Sequence, residues 1–150
     1  MKRNNSKYTY GRTCVYNINY HIIWGTKYRR KWMTAGLEDE IKQILHDIAR
    51  ENGFSIEHIE IGLDDHIHLL VAAPPKLSVT VIVKCLKGTS SFRLFRLHPE
   101  LKKVYWNTSD RHIWSPSYFV ESIGTTNADA VAKYIDDQRL KEKQRGQKDE

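Results

Sequence analysis

Residues 15 to 24, VYNINYHIIW, alternate with a period of two. Tyr16, Ile18, Tyr20, Ile22 and Trp24 fall on one face, and Asn17, Asn19 and His21 on the other. Successive side chains of a strand leave opposite faces, so this run is a strand with one side against a core. A half-buried strand needs partners. The chain must therefore build a sheet whose covered face carries the large apolar side chains.

The partners and their cover follow in order. Leu37, Ile41, Ile44, Leu45 and Ile48 take helical spacing between Leu37 and Arg50, and Asn52-Gly53 supplies a stop. FSIEHIEI, residues 54 to 61, is a second strand whose alternation slips at Glu57-His58, which predicts a bulge. GLDD, residues 62 to 65, turns the chain, and HIHLLVAA is the third strand, closed by Pro74-Pro75. Ser78 caps a helix running to about Leu97, with Val79, Ile82, Val83 and Leu86 inward. Small residues Gly88, Thr89, Ser90 and Ser91 in its middle let another element approach closely. WSPSYFVESI, residues 114 to 123, is the last strand, and Pro116 places it at an edge. Thr126 and Asp129 then open a final helix in the manner of a capping box.

The succession β-α-β-β-α-β plus one helix is the α+β, ferredoxin-like split β-α-β pattern, an antiparallel sheet covered on one face. Its first and third strands are neighbours, so Asn17, Asn19 and His21 are expected beside the polar side of the third strand, on an open face. At 150 residues, 40% of them hydrophobic, the chain suits one domain with a proper core. The boundaries expected are a basic arm at 1–13, the domain at 14–139, and a polar, frayed tail at 140–150. No apolar run approaches the ~20 residues of a membrane span, and the basic N-terminus has no apolar stretch of a secretory signal. Cys14 and Cys85 match no metal spacing and read as reduced, buried thiols of a cytoplasmic protein.

Lys and Arg exceed Asp and Glu by 24 to 18, a formal charge of +6. The clustering is more telling than the total. KYRRKW, residues 27 to 32, interleaves Lys27, Arg29, Arg30 and Lys31 with Tyr28 and Trp32. Phosphate-pairing charge beside stacking rings suits a single strand, whose bases are free to stack. A solvated loop with its aromatics turned inward fits the same letters.

The chemistry centres on DDHIHLLV, residues 64 to 71. A strand sends His66 and His68 one way and Ile67, Leu69 and Val71 the other, toward the core. Paired imidazoles on one face serve either a metal ion or acid/base work. Leu70 breaks the patterns of histidine-triad hydrolases and of two-histidine phosphoesterases. In the final helix Val131, Tyr134, Ile135 and Gln138 fall at i, i+3, i+4 and i+7, on one face. Gln138 interrupts an apolar stripe, and its amide oxygen one turn from a phenol can hold a metal beside a nucleophile. That helix carries little large apolar surface and follows Gly124, so it is weakly anchored and able to swing or dock on another subunit.

YHIIWGTKYRR, DHIHLL, KGTSSFRL, WSPSYFVESIG and YIDDQ resemble, in order and spacing, the successive motifs of the IS200/IS605-type single-tyrosine transposases of the HUH endonuclease superfamily. The resemblance covers residues 14 to 139. It implies His66 and His68 as metal ligands, Gln138 as the third ligand and Tyr134 as the catalytic tyrosine. It further implies a Mg²⁺ or Mn²⁺ cofactor, with manganese better suited to two imidazoles. The implied substrates are single-stranded transposon ends with subterminal hairpins, cut and rejoined through a covalent 5′-phosphotyrosine. The implied assembly is a homodimer, with the 114–123 edge strand able to pair with its symmetry mate. Arg12, Lys27, Arg29, Arg30, Lys84 and Lys87 are the candidate DNA contacts, and Lys133 and His21 the candidate activators of the phenol. No P-loop is present, so no nucleotide cofactor is expected. A repeat-associated, host-serving relative and a non-enzymatic single-strand-binding dimer are the competing readings.

Overall fold

The structure is a computed structural model that describes residues 2–3, 8–105, 112–124, 135–137 and 139–145. Three short strands, β1 (Lys2–Arg3), β2 (Thr9–Tyr10) and β3 (Val15–Tyr16), form a small antiparallel sheet of their own. The domain proper runs β4 (Asn19–Gly25), α1 (Ala35–Glu51), β5 (Ser55–Gly62), β6 (His66–Ala72), α2 (Val79–Leu97), a short α3 (Leu101–Val104) and β7 (Phe119–Ile123). Its sheet has the order β5-β6-β4-β7 with every pairing antiparallel. This is the ferredoxin-like arrangement expected, with the first strand between the third and the fourth.

The period-two run is divided. Val15 and Tyr16 pair with β2, while Asn19 onward pairs with β6, so the chain changes sheets at Asn17-Ile18. Beyond that break the expected faces hold: Ile22, Trp24, Ile67, Leu69 and Val71 are buried in one core with Ile41, Leu45 and Ile48 of α1 and Ile82, Leu86 and Leu94 of α2. Each such side chain contributes about 1.5–3 kcal/mol by leaving water. The slip in β5 is a register shift between Ile56 and His58, as the broken alternation predicts. Asn52 caps α1 and Gly53 follows at φ +81°, a conformation that only glycine adopts without strain. Ser78 Oγ accepts from the Val81 amide at 3.2 Å and starts α2.

The small residues of α2 have a specific occupant. The indole of Trp114 donates to Ser90 Oγ at 2.8 Å, and Ser90 and Ser91 are both buried. Pro116 precedes the last strand, which is shorter than expected and lies at the sheet edge, as expected. Two further expectations are corrected. Cys14 is exposed just before β3, and Cys85 is half-buried at the margin of the core, both as free thiols. Residues 139–145 are helical where a frayed tail was expected, since this polar segment has polar partners on the domain. Among the described residues no helix is long and apolar enough to cross a membrane.

Candidate active site

β6 delivers both histidines to the sheet face opposite the core. His66 and His68 are buried, at 6% and 8% exposure, with ring centroids 5.0 Å apart. Asn19 and His21 on β4 share that face and are buried too, so the open polar platform expected is in fact a covered one. β4 pairs with β6 so that Ile23 faces His68, which sets His21 diagonally across from it.

Each ring is held by a neighbour. His66 Nδ1 lies 2.8 Å from Asp65 Oδ1. His68 Nδ1 lies 3.4 Å from His21 Nε2, and His21 Nδ1 lies 3.1 Å from Glu121 Oε1 on β7. Burial, with the nearby His66 and His21 rings adding to it, pushes the His68 pKa down to about 4. At neutral pH that imidazole is therefore uncharged, the form in which histidine binds metal.

The C-terminal helical stretches 135–137 and 139–145 lie against the same region of their own chain. Ile135, Arg139 and Glu142 fall at i, i+4 and i+7 and so share one face. Ile135 is fully buried. Arg139 pairs with Glu60 of β5 and, at 2.9 Å, with Glu38 of α1. Asp136 meets His58 at 3.0 Å. Glu142 brings Oε2 to 3.3 Å from His66 Nε2, and that oxygen is buried with no hydrogen-bond partner among the described residues. Tyr134, Gln138 and Lys133, the remaining site residues expected on this helix, lie outside the described residues.

The residues present fit a divalent cation. One nitrogen of each histidine and one oxygen of Glu142 lie within 4.8 Å of one another. Gly62 leaves the space, because a Cβ there would overlap both His66 Nε2 and Glu142 Oε2. An orphaned buried carboxylate oxygen beside paired imidazoles is what a cation satisfies.

Residues 14–138 match the family model described as Transposase IS200 like. The chain belongs to the IS200-like transposase family. It is 38% identical over 132 residues to the ISDra2 transposase TnpA of Deinococcus radiodurans, covering 88% of this chain and 91% of that one. It is 33% identical over 128 residues to the transposase for insertion sequence element IS200 of Salmonella typhimurium, covering 85% of this chain and 81% of that one. A crystal structure from Deinococcus radiodurans R1, assigned as a transposase, superposes with a TM-score of 0.69 at 37% identity, covering 87% of this chain and 98% of that one. A REP-associated tyrosine transposase bound to a REP hairpin superposes at 0.60 with 15% identity, covering 94% of this chain and 74% of that one, and shares the fold.

The basic segment of this transposase is partly what its letters suggested. Arg29, Arg30 and Lys31 are exposed, and the Tyr28 ring is 65% exposed with the Lys27 ammonium 5.4 Å from its centroid. Trp32 instead turns inward and donates to the buried Tyr105 hydroxyl at 2.8 Å. The loop abuts the site, because Arg29 reaches Asp65 at 3.6 Å and the Thr26 amide donates to the Asp65 carbonyl. Arg12 and Lys84 are exposed. Lys87 is half-buried: its ammonium donates to the carbonyls of Ser115 and Ser117, and burial lowers its pKa. It clamps the segment before β7. His21, a candidate activator of the phenol, has both ring nitrogens facing Glu121 and His68.

Asp65, Glu121, Gly62 and Glu142 were missed in the sequence. Asp65 directly precedes the histidine pair and was legible as its partner. Glu121 and Glu142 lie 53 and 74 positions beyond His68, and only the fold brings them there.

Proposed function

We propose that this transposase cuts and rejoins single-stranded transposon ends through Tyr134, forming a covalent 5′-phosphotyrosine. The observation that carries the reading is the buried His66–His68 pair, oriented by Asp65 and His21, in a member of a transposase family. His66, His68 and Gln138 are the residues to hold Mg²⁺ or Mn²⁺. When bound, such an ion polarises a non-bridging oxygen of the scissile phosphate and offsets the charge that develops there.

The phenolic oxygen of Tyr134 attacks phosphorus in line. A tyrosyl–phosphorus bond forms as the bond to the 3′ oxygen breaks, the phenolic proton passes to solvent, and the departing oxygen takes one up. A 3′-hydroxyl from another strand reverses the step and joins new ends. The bond energy is conserved, so no nucleotide is consumed. Exposed Arg12, Arg29, Arg30 and Lys84 supply cations for the strand, and Tyr28 a face for stacking. A homodimer is supported by β7, an edge strand with Phe119 and Val120 exposed, which suits pairing with a second copy.

Incubation with a tailed single-stranded hairpin and Mn²⁺ tests the reading. A denaturant-stable protein–DNA adduct is expected from the natural chain and none from Tyr134→Phe. Binding without any adduct would favour a non-enzymatic single-strand-binding module.

A further inference from the structure

We propose that Glu142 is itself a ligand of the divalent cation, adding a carboxylate from the same chain to the imidazoles of His66 and His68. The inference rests on the reading of the histidine pair as a metal site and adds a ligand to it.

Tautomer logic comes first. His66 Nδ1 sits 2.8 Å from Asp65 Oδ1, so the ring proton is donated there and Nε2 of the neutral ring carries a lone pair. Facing that lone pair at 3.3 Å is Glu142 Oε2, which also offers only lone pairs and has no hydrogen-bond donor among the described residues. Two buried acceptors turned toward each other repel unless something positive lies between them. Their spacing suits one shared ion. Ligands about 2.1 Å from a metal sit about 3.0 Å apart at a right angle and about 3.4 Å apart at a tetrahedral one.

The surroundings agree. A nitrogen of His68 lies within 4.8 Å of both other ligand atoms. Gly62, the residue paired with His66 across the hairpin, has no Cβ to fill the gap. Arg139 and Ile135 hold the helix face from which Glu142 projects, so the carboxylate is delivered by an anchored element. Chemically, a carboxylate gives a two-histidine site the hard, anionic oxygen that Mn²⁺ and Mg²⁺ prefer over a neutral amide. The competing arrangement is a proton on His66 Nε2, with Asp65 and Glu142 flanking an imidazolium.

Titration calorimetry of the full chain with Mn²⁺, without DNA, separates the two. Glu142→Gln is expected to weaken binding at least tenfold, Glu142→Asp to restore part of it, and His66→Ala to abolish it. Melting in EDTA checks that each variant folds. Should Glu142→Gln misfold, the Glu142→Asp affinity decides in its place: a value equal to that of the natural chain removes Glu142 from the site. Mn²⁺ affinity unchanged in Glu142→Gln, with lower stability in EDTA, would establish the imidazolium pair and overturn the proposal. Failure of the natural chain to bind Mn²⁺ would overturn it as well, while a Tyr134-dependent adduct would leave the transposition chemistry standing.

Discussion

His21 Nε2 lies 3.4 Å from His68 Nδ1. Because Glu121 Oε1 accepts from His21 Nδ1, the His21 ring presents an acceptor to His68, whose Nδ1 then carries the proton. The other nitrogen of His68 is left with its lone pair for a cation. Outer partners of this kind are typically worth 10–100-fold in metal affinity. His21→Ala is therefore expected to weaken Mn²⁺ binding by at least tenfold, and Glu121→Gln by less, since Glu121 is half-exposed. Calorimetry reads both, and equal affinities for all three proteins would remove the relay.

Gly62→Ala tests the room at the site. The atoms nearest the added methyl belong to the side chains of His66 and Glu142, so the strand can keep its pairing while these two move apart. A folded protein with weakened Mn²⁺ binding is expected, seen as a circular dichroism spectrum like that of the natural chain and a shallow calorimetric isotherm. Gly36→Ala is the control. It stands in α1 with open space around its Cβ position, and is expected to stabilise the chain by about 0.5–1 kcal/mol without touching metal affinity.

The lysines and arginines divide by partner. Arg30 and Lys31 are exposed near Tyr28, whereas Lys87 is engaged by two backbone carbonyls. Arg30→Ala with Lys31→Ala is expected to weaken single-strand binding and to flatten its salt dependence by about 0.7 for each phosphate no longer neutralised. Lys87→Met is expected to lower the melting temperature and leave the salt slope unchanged. Fluorescence anisotropy across a salt series distinguishes these outcomes, and a slope that moves with Lys87 would contradict the structural role.

His98, at the end of α2, makes the stability depend on pH. Its Nε2 lies 2.6 Å from Glu40 and its Nδ1 3.0 Å from Glu100. The Glu40 contact chiefly raises its pKa above the ordinary value near 6.5, with Glu100 adding to it. A raised folded-state value favours the protonated fold, so the stabilisation is complete below that ordinary pKa. It fades as pH climbs through the raised one. The melting-temperature gap between the natural chain and His98→Gln is expected to be widest near pH 5.5 and to close toward pH 9. A gap independent of pH would mean that the two carboxylates hold a neutral ring.

Much of the frame was readable because local physics sets it. Alternation at 15–24 and 66–71 had to produce strands with Ile22, Trp24, Ile67, Leu69 and Val71 inward, and His66 and His68 had to share the other face. The lost phase at Glu57-His58 had to appear as a register shift, and Gly53 and Ser78 had to end and begin helices. Side-chain period and backbone sterics are properties of neighbouring residues, so no tertiary information was needed.

Beyond the adjacent Asp65, what surrounds the imidazoles was decided by the tertiary structure. Glu121 reaches His21 because β7 docks beside β4, and Glu142 reaches His66 because Arg139 finds Glu38 and Glu60 on two other elements. The polar letters after Gln138 predict solvation when read along the chain, and only the arrangement of α1 and β5 supplies the opposite charges that hold them. The two carbonyls that Lys87 meets, those of Ser115 and Ser117, are likewise set before it only by the fold. Periodicity tells which way a side chain points, but the partner it meets depends on distant segments brought together by core packing.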